Sequence, residues 1–260
     1  MTGGTDRFAT NTDGYARFRP SYPSSILHAL RDLIASVACP PDAPVVDVGS
    51  GTGIFTRQLA AVLPVRTAVI GVEPSAAMRA QALKEAGVHP GIRYVEGTAE
   101  ALPLPDGAAR AVTAATAAHW FDLPAFFAEA ARALAPSGVL AIAEYIRDVD
   151  NSPAAEALEA FLAAHGGPKA YVRPDYPAAL AATEGFSDVR SFGEDVTFRL
   201  SAEAFVGLGL SSSHARAVEA RLGKDETRRR LTDLAATVQG NDGTIPYSYK
   251  FRLYSARRTG

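Results

Sequence analysis

The sequence predicts an α/β fold in which helices cover a seven-stranded, mostly parallel, doubly wound sheet. The first observation is the segment VVDVGSGTG at residues 45–53, where a β-branched run leads directly into a glycine-rich turn. The second is the alternation of apolar strands and amphipathic helices from Ser24 to Leu140. The third is a pair of strand-like segments near the end of the chain, which would complete the sheet.

The first elements follow from spacing and from proline. A helix is predicted from Ser24, because apolar residues recur at helical spacing, and prolines 40, 41 and 44 end it before the first strand. Its apolar face consists of Ile26, Leu27, Leu30, Leu33, Ile34 and Val37. After the strand at 45–48 and the glycines, a second helix is predicted from Ile54.

The rest of the chain continues the alternation. The predicted segments are a strand at 68–72, a helix at 76–85, a strand from Ile92, a strand from Val112, a helix at 124–134 and a strand at 139–145. A helical stretch is predicted over 152–185, beginning at Ser152 and Pro153, and strands are predicted near 189–198 and 245–255. These segments give seven strands.

The glycine-rich turn indicates a ligand with a nucleotide-like group. Gly49, Gly51 and Gly53 allow the backbone to turn tightly beside a ligand, and the free amides of the next helix face the same crevice. A dinucleotide fingerprint requires a third small residue where this chain has Ile54, and no Gly-Lys-Ser/Thr sequence follows for a phosphate-binding loop. The remaining common ligand of such a turn is S-adenosylmethionine, whose methionine end needs no pyrophosphate cradle.

The turn resembles motif I of the class I S-adenosylmethionine-dependent methyltransferases, with Asp47 and the three glycines matching position by position. Glu73 ends the neighbouring strand, where an acidic residue of this family binds the ribose and where dinucleotide folds place one as well. The alternative is that Glu73 caps the helix that begins after Pro74 and Ser75.

The segment YVEGTAE at residues 94–100 is similar to the part of the family that meets the adenine. The residues predicted to bind the cofactor are therefore Asp47, Gly49, Ser50, Gly51, Gly53, Glu73, Pro74, Met78, Thr98, Ala99, Glu100, Ala115, Tyr15 and Arg19. One departure is Arg110, which stands before the fourth strand where the family often has Asp.

His119 and Trp120 follow the fourth predicted strand at the ligand-binding edge of the sheet. The pair is similar to a subset of small-molecule methyltransferases that includes the trans-aconitate methyltransferase-like enzymes, and this subset carries a lid segment like YARFRPSYP at 15–23. The resemblance covers residues 8–149 well and later residues only by architecture. His119 is the candidate catalytic residue: a general base for a hydroxyl or amine, an orienting group for a carboxylate, or, alternatively, only a packing partner of Trp120.

Aromatic side chains around this edge are the predicted substrate contacts. They come from the lid, from the strand ends and from the helical stretch after residue 150, since insertions at strand ends often determine specificity. The set is Tyr22, Trp120, Tyr145, Tyr171 and Tyr176. For the lid and cover tyrosines, packing alone is the alternative.

Composition limits the other possibilities. The 260 residues, 47% of them hydrophobic, are expected to form one methyltransferase domain with a lid at 1–23, a cofactor-binding core at 24–149, a cover at 150–186 and C-terminal strands and helices at 187–260. With 28 acidic and 26 basic residues, we expect no nucleic-acid or membrane partner. With Cys39 as the single cysteine and scattered histidines, we expect no disulfide and no metal, and a cytoplasmic monomer or homodimer.

The predicted function is methyl transfer from S-adenosylmethionine to an oxygen, nitrogen or carboxyl group of a small molecule, by in-line displacement. Two alternatives stay open, because fold and cofactor do not fix the chemistry. The first is another use of the same cofactor, such as an internal displacement that releases methylthioadenosine. The second is a protein that binds the cofactor without turnover.

Overall fold

The computed structural model describes residues 19–167, 172–212 and 214–260. Seven strands in this part of the chain form one sheet. They are Val45–Val48 (β1), Val69–Val72 (β2), Ile92–Val95 (β3), Ala109–Ala115 (β4), Leu134–Arg147 (β5), Phe186–Leu200 (β6) and Ile245–Arg258 (β7).

The strand order is β3-β2-β1-β4-β5-β7-β6. The first five strands in the chain run parallel, and β7 lies antiparallel between β5 and β6. The chain thus turns back between β1 and β4, and the carboxyl ends of these strands border the crevice where doubly wound folds bind ligands. This confirms the predicted fold class.

Helices lie on both sides of the sheet. They are Ser24–Ala35 (α1), Ile54–Val62 (α2), Ala76–Ala86 (α3), Leu123–Ala133 (α4), Pro153–Gly166 (α5), Tyr176–Ala181 (α6), Ala202–Leu210 (α7), Ala215–Leu222 (α8) and Lys224–Val238 (α9). Several begin after a residue whose side chain accepts a hydrogen bond from a backbone amide of the first turn, which stabilises the helix start. These residues are Ser75, Asp122, Ser152, Asp175 and Ser201.

Within the described ranges, none of the helices combines the length and apolarity needed to cross a bilayer.

Two apolar layers hold the sheet. On one face, β5 and β7 pack with α1, α2, α5, α7 and α9 around residues such as Leu30, Leu59 and Phe251. On the other face, α4 and α6 pack on the central strands around Phe126 and Phe127. Because β1 is covered on both faces, all four of its residues are buried, which explains why VVDV is almost continuously apolar.

Several element boundaries differ from the predicted ones. The predicted helix at 124–134 ends at Ala133, because Leu134 already pairs with Ala109 of β4 and begins β5. The strands β6 and β7 are longer than the predicted 189–198 and 245–255, and they pair with each other from Phe186 to Leu200 and from Ile245 to Arg258. Most of β6 is exposed or half-buried at the sheet edge. An exposed edge strand lacks a continuous apolar pattern, so its full length is not evident from the sequence.

Candidate active site

The glycine-rich turn between β1 and α2 depends on three residues in the left-handed region. The φ angles of Gly49, Gly51 and Gly53 are +67°, +56° and +75°. A residue with a Cβ adopts such angles only at a cost in conformational free energy. Gly49 and Gly53 are also packed tightly, since a Cβ on Gly49 would lie 2.8 Å from the Cβ of Ala117 and one on Gly53 would overlap the Tyr94 ring. A Cβ on Gly51 would meet no atom within 4 Å, so the turn is open at that residue.

Glu73 lies beside this open residue. Its Oε2 accepts a hydrogen bond from the amide of Gly51 at 3.0 Å, and its Oε1 accepts one from the amide of Ser75 at 2.9 Å. Partial burial raises the pKa of Glu73, and these two amide bonds oppose that rise. The carboxylate therefore joins the glycine turn to the start of α3, so the capping contact that the sequence left as an alternative is present beside the predicted ribose position.

Asp47 lies under the turn instead of facing the crevice. The residue is 1% exposed, and its Oδ2 accepts a hydrogen bond from the hydroxyl of Thr56 in α2 at 2.6 Å. Burial raises the pKa of Asp47 from 3.8 to about 7, against the opposing effect of the Thr56 bond. The carboxyl group thus anchors α2 to β1 and supports the turn from below.

The end of β4 is held in an unusual conformation. Thr116 has a φ of +51°, and its amide donates to the carbonyl of Ala143 in β5 at 2.7 Å. The hydroxyl of Tyr22 lies 2.6 Å from the Thr116 hydroxyl and also donates to the Ala143 carbonyl at 3.1 Å. The backbone of Tyr22 exchanges two 3.2 Å hydrogen bonds with the side chain of Gln58 in α2. Tyr22 therefore ties the segment before α1 to the strand end that precedes His119.

His119 and Trp120 lie in a short 3-10 helix, Ala118–Trp120, directly after this strand end. Their rings are 4.9 Å apart, and Trp120 is 36% exposed. Burial, followed by the positive charges of Arg173 and Arg19, lowers the pKa of His119 from 6.5 to about 3. The imidazole is therefore neutral at physiological pH.

The two arginines near His119 come from opposite sides of the sheet edge. Arg19 donates to the hydroxyl of Tyr145 at 2.9 Å and to the carbonyl of Ser211 at 3.1 Å. Arg173 forms an ion pair with the buried Glu144 and lies 3.4 Å from the Tyr145 carbonyl. The edge next to β4 and β5 thus combines a neutral imidazole with two guanidinium groups.

Comparison with known proteins finds methyltransferases. A family model described as a methyltransferase domain matches residues 46–142, which include the glycine turn, Glu73 and His119. The chain is 29% identical to an uncharacterized methyltransferase of Mycobacterium tuberculosis over 92% of this chain and 91% of the relative. A solved structure described as a type II methyltransferase of Anaeromyxobacter dehalogenans matches with a TM-score of 0.69 and 25% identity, over 93% of this chain and 98% of that one. Residues 46–142 therefore match a methyltransferase domain, and the fold around them is that of class I methyltransferases.

Several relatives that match over about half of the chain show higher identities. The chain is 36% identical to trans-aconitate 2-methyltransferase of Deinococcus radiodurans over 133 residues, or 51% of this chain and 48% of that enzyme. The chain likewise spans about half the length of a Dictyostelium discoideum methyltransferase, at 35% identity. These matches agree with the predicted methyltransferase family, and a solved methyltransferase of the same fold holds S-adenosylmethionine, the predicted cofactor.

The methyltransferase places its predicted cofactor residues along one edge of the sheet. Glu73 and Pro74 are half-buried after β2, Thr98 and Glu100 are exposed after β3, and Ala115 ends β4. Glu100 accepts a hydrogen bond from the amide of Asp122 at 3.2 Å, which links the region after β3 to the start of α4. Besides Asp47, the buried members are Ser50, Met78 and Ala99. Tyr15 lies outside the described residues.

The predicted substrate tyrosines that the structure describes are buried. Tyr22 is 5% exposed and its hydroxyl is used in the contacts with Thr116 and Ala143. Tyr176 is 1% exposed and packs 5.8 Å from the Tyr254 ring in the core. Both are therefore core residues. Tyr145 is 8% exposed and packs on Tyr22 in the same core, and its hydroxyl accepts a hydrogen bond from Arg19. Tyr171 lies outside the described residues.

Tyr94 is a site residue that sequence reasoning missed. Its ring lies beneath the turn, since a Cβ on Gly53 or on Gly71 of β2 would come within 2.7 Å of it. The signal was present in the sequence, because a glycine inside a strand often marks a close approach of another group. Within the described part of the chain, no group of His, Cys, Asp and Glu could hold a metal ion.

Asp47 gives a prediction for stability. Between pH 3.8 and about 7 the folded state holds a proton that the unfolded state has lost, so this group destabilises the fold as pH rises through that window. At about 1.4 kcal/mol per pKa unit, the buried carboxylate costs about 4 kcal/mol above pH 7. In Asp47→Asn the side-chain oxygen can still accept the hydrogen bond from Thr56. The new amide group would be buried without an acceptor, which lowers the free energy of unfolding by roughly 1–3 kcal/mol.

We therefore expect Asp47→Asn to raise the free energy of unfolding by roughly 1–3 kcal/mol at pH 8, and to lower it at pH 4, where the wild-type carboxyl is largely protonated. Urea denaturation at pH 4, 6 and 8 measures the difference between variant and wild type. A difference that does not change with pH would show that the Asp47 carboxyl has an ordinary pKa.

Proposed function

We propose that this enzyme transfers the methyl group of S-adenosylmethionine to a small-molecule acceptor at the crevice between the ends of β1 and β4. The observation that carries the proposal is the contact between the amide of Gly51 and the Glu73 carboxylate at the point where the sheet reverses its strand order. It places an anchored carboxylate beside an open glycine turn, with His119 on the next strand end. This arrangement can bind a nucleoside and present its substituent to a second molecule.

The residues present fit the cofactor. The open backbone at Gly51 leaves room for the methionine end, Glu73 can accept hydrogen bonds from both ribose hydroxyls, and Thr98 and Glu100 lie where the adenine would reach the surface. The bound cofactor supplies a methyl group on a positively charged sulfur, and the sulfur keeps the electron pair of the broken carbon–sulfur bond. The chain's own task is to hold the attacking atom in line, which contributes roughly 7–11 kcal/mol through orientation.

We assign His119 the role of orienting the acceptor. A group with a pKa of about 3 is a weak proton acceptor at neutral pH, although its neutral nitrogen still forms hydrogen bonds. The adjacent Arg19 and Arg173 favour an acceptor that carries negative charge. An anionic oxygen attacks without losing a proton, so the weak basicity of His119 is compatible with catalysis. The match to an enzyme named for trans-aconitate, an anion, supports the same acceptor class.

The direct test is to incubate the purified protein with S-adenosylmethionine and panels of carboxylates, phenols and amines, and to identify products by mass spectrometry. S-adenosylhomocysteine that forms only with an acceptor, together with a product heavier by one methylene, would support methyl transfer. Methylthioadenosine formed without any acceptor would instead show an internal displacement. Tight cofactor binding with no product in any panel would favour a protein that only binds the cofactor.

The orienting role of His119 gives a second prediction. With the acceptor found in that assay, His119→Gln should retain kcat within about tenfold, because glutamine also offers a hydrogen-bonding side chain, whereas loss of a general base would cost about 10²–10⁴. The wild-type kcat should also be flat between pH 5 and 8, since the imidazole stays neutral throughout. A larger loss, together with a wild-type inflection near pH 6–7 that the variant abolishes, would show that His119 is the base.

A further inference from the structure

Thr116, directly after β4, has a backbone conformation that is costly for its residue type. Its φ of +51° lies in the left-handed region, where a β-branched side chain is a rare outlier. Among the residues that the structure describes, the other non-glycine residues with a positive φ are Ser137 and Asp188, and neither is β-branched. Strained residues persist only where surrounding contacts hold them, and they cluster at functional sites. The contacts of Thr116 therefore bear on the function of the crevice.

Three hydrogen bonds hold Thr116 against the neighbouring strand. Its amide donates to the carbonyl of Ala143 in β5 at 2.7 Å, and its hydroxyl lies 2.6 Å from the hydroxyl of Tyr22. The Tyr22 hydroxyl donates its single proton to the same carbonyl at 3.1 Å, so the Thr116 hydroxyl is the donor between the two side chains. Burial raises the pKa of Tyr22, so its hydroxyl keeps that proton. The side chain of Thr116 is thus part of what fixes the end of β4.

The residues that follow Thr116 pack directly on the glycine turn. Ala117 and Phe121 flank the short helix that contains His119. An added Cβ on Gly49 would lie 2.8 Å from the Cβ of Ala117 and 3.0 Å from the ring of Phe121, so both ends of the helix contact the turn. The backbone conformation of Thr116 sets the direction in which the chain leaves β4. It therefore sets how His119 lies relative to the turn.

The glycine turn has supports of its own. The amides of Gly49 and Ser50 donate to the carbonyl of Val72 in β2 at 2.8 Å and 3.1 Å. Neither bond involves Thr116 or Tyr22. A change in the contact between these two side chains should therefore displace the segment of chain after β4 and leave the turn in place.

We propose that Thr116 is a positioning residue for methyl transfer: the hydrogen bond from its hydroxyl to Tyr22 holds the strained end of β4 in the conformation that places His119 against the cofactor turn. The proposal rests on the proposed function and extends it, because it adds a residue that acts through His119. Glycine would adopt this φ at a lower cost, but it has no hydroxyl for Tyr22. This accounts for a threonine where the backbone alone favours glycine.

The first measurement uses the fluorescence of Trp120, which is the single tryptophan of the chain and the neighbour of His119. Acrylamide quenching reports how firmly this segment is held, and it needs no acceptor. Thr116→Val keeps the shape without the hydroxyl, and Thr116→Ser keeps the hydroxyl. We expect the quenching constant to rise by about 1.5-fold or more in Thr116→Val and in Tyr22→Phe, since a loosened segment opens more often. Thr116→Ser should match the wild type.

The second measurement separates positioning from cofactor binding. With the acceptor found in the panel assay, Thr116→Val should lower kcat/KM by about tenfold or more, because a misplacement of about 1 Å can cost about 10²-fold. Its Kd for S-adenosylhomocysteine should stay within about twofold of the wild-type value, since the supports of the turn are intact. The double variant Tyr22→Phe/Thr116→Val should lose no more activity than the worse single variant, because both changes remove the same hydrogen bond.

The matched control is Thr227→Val in α9. Thr227 is buried, and its hydroxyl donates to the carbonyl of Gly223 at 2.8 Å. This variant should lower the thermal midpoint about as much as Thr116→Val, because each loses a buried hydroxyl and its hydrogen bond. It should leave both the quenching of Trp120 and kcat/KM at their wild-type values. If Thr116→Val does not fold, Tyr22→Phe removes the same hydrogen bond and is compared with the control in its place.

Wild-type quenching in both Thr116→Val and Tyr22→Phe would overturn the positioning role. A loss of kcat/KM that the Thr227 control reproduces, or that comes with an equal loss of affinity for S-adenosylhomocysteine, would show that the hydroxyl only stabilises the fold. The proposed function fails separately, if the wild-type protein does not bind S-adenosylhomocysteine. If the wild type binds it and methylates an acceptor, and Thr116→Val does so equally well, only the role of Thr116 is wrong.

Discussion

Replacing Glu73 with alanine should raise the Kd for S-adenosylhomocysteine by roughly 10- to 100-fold. The carboxylate is already held by the amides of Gly51 and Ser75, so it is positioned to accept two further hydrogen bonds from the ribose. Hydrogen bonds to a charged group contribute about 1.5–3 kcal/mol, and this range converts to the expected change in Kd. Isothermal titration calorimetry at neutral pH measures it directly.

The matched control is Glu96→Ala. Glu96 follows the neighbouring strand β3, and its exposed carboxylate pairs with Arg79 at 2.8 Å. We expect this variant to bind S-adenosylhomocysteine like the wild type, because an exposed ion pair contributes little. If Glu73→Ala lowers stability but the folded protein binds normally, then Glu73 only joins the turn to α3, and its assignment to the ribose is wrong.

The sequence predicted the parts of the site that depend on local chain geometry. The turn at Gly49, Gly51 and Gly53 follows from glycine itself, and the positions of Glu73 and His119 follow from their places after parallel strands, whose carboxyl ends share one edge. No contact between distant segments had to be known to predict these positions, so the family, the fold class and the cofactor could be predicted before any coordinates.

The parts that depend on burial and register could not be predicted in this way. A tyrosine near a strand end suits a crevice or a core equally well, and only packing shows that Tyr22 and Tyr176 are in the core. Tyr22 and Thr116 are 94 positions apart in the chain, and the register of β4 and β5 places Thr116 beside the carbonyl that both residues contact. The low pKa of His119 likewise requires Arg173, which comes from a different segment.

Two glycines of the turn should respond differently when each is replaced by alanine: Gly53 in stability and Gly51 in cofactor affinity. Gly53→Ala combines a φ of +75° with a Cβ that overlaps the Tyr94 ring. Left-handed strain costs about 1–2 kcal/mol and overpacking about 1–3 kcal/mol, so we expect the free energy of unfolding to fall by roughly 3 kcal/mol. Urea denaturation measures this loss, and the double variant Gly53→Ala/Tyr94→Ala should lose less than the sum of its single variants.

Gly51→Ala provides the comparison, because it has a similar φ of +56° but no atom within 4 Å of the added Cβ. Its stability should fall only by the strain, about 1–2 kcal/mol, while its affinity for S-adenosylhomocysteine should fall at least tenfold, since the Cβ occupies the opening that the cofactor needs. If Gly51→Ala bound S-adenosylhomocysteine as tightly as wild type, the methionine end could not lie against this residue. If both variants lost the same stability, the Tyr94 ring would not be packed under the turn. The turn would then lack the support from Tyr94 that we infer for the cofactor pocket.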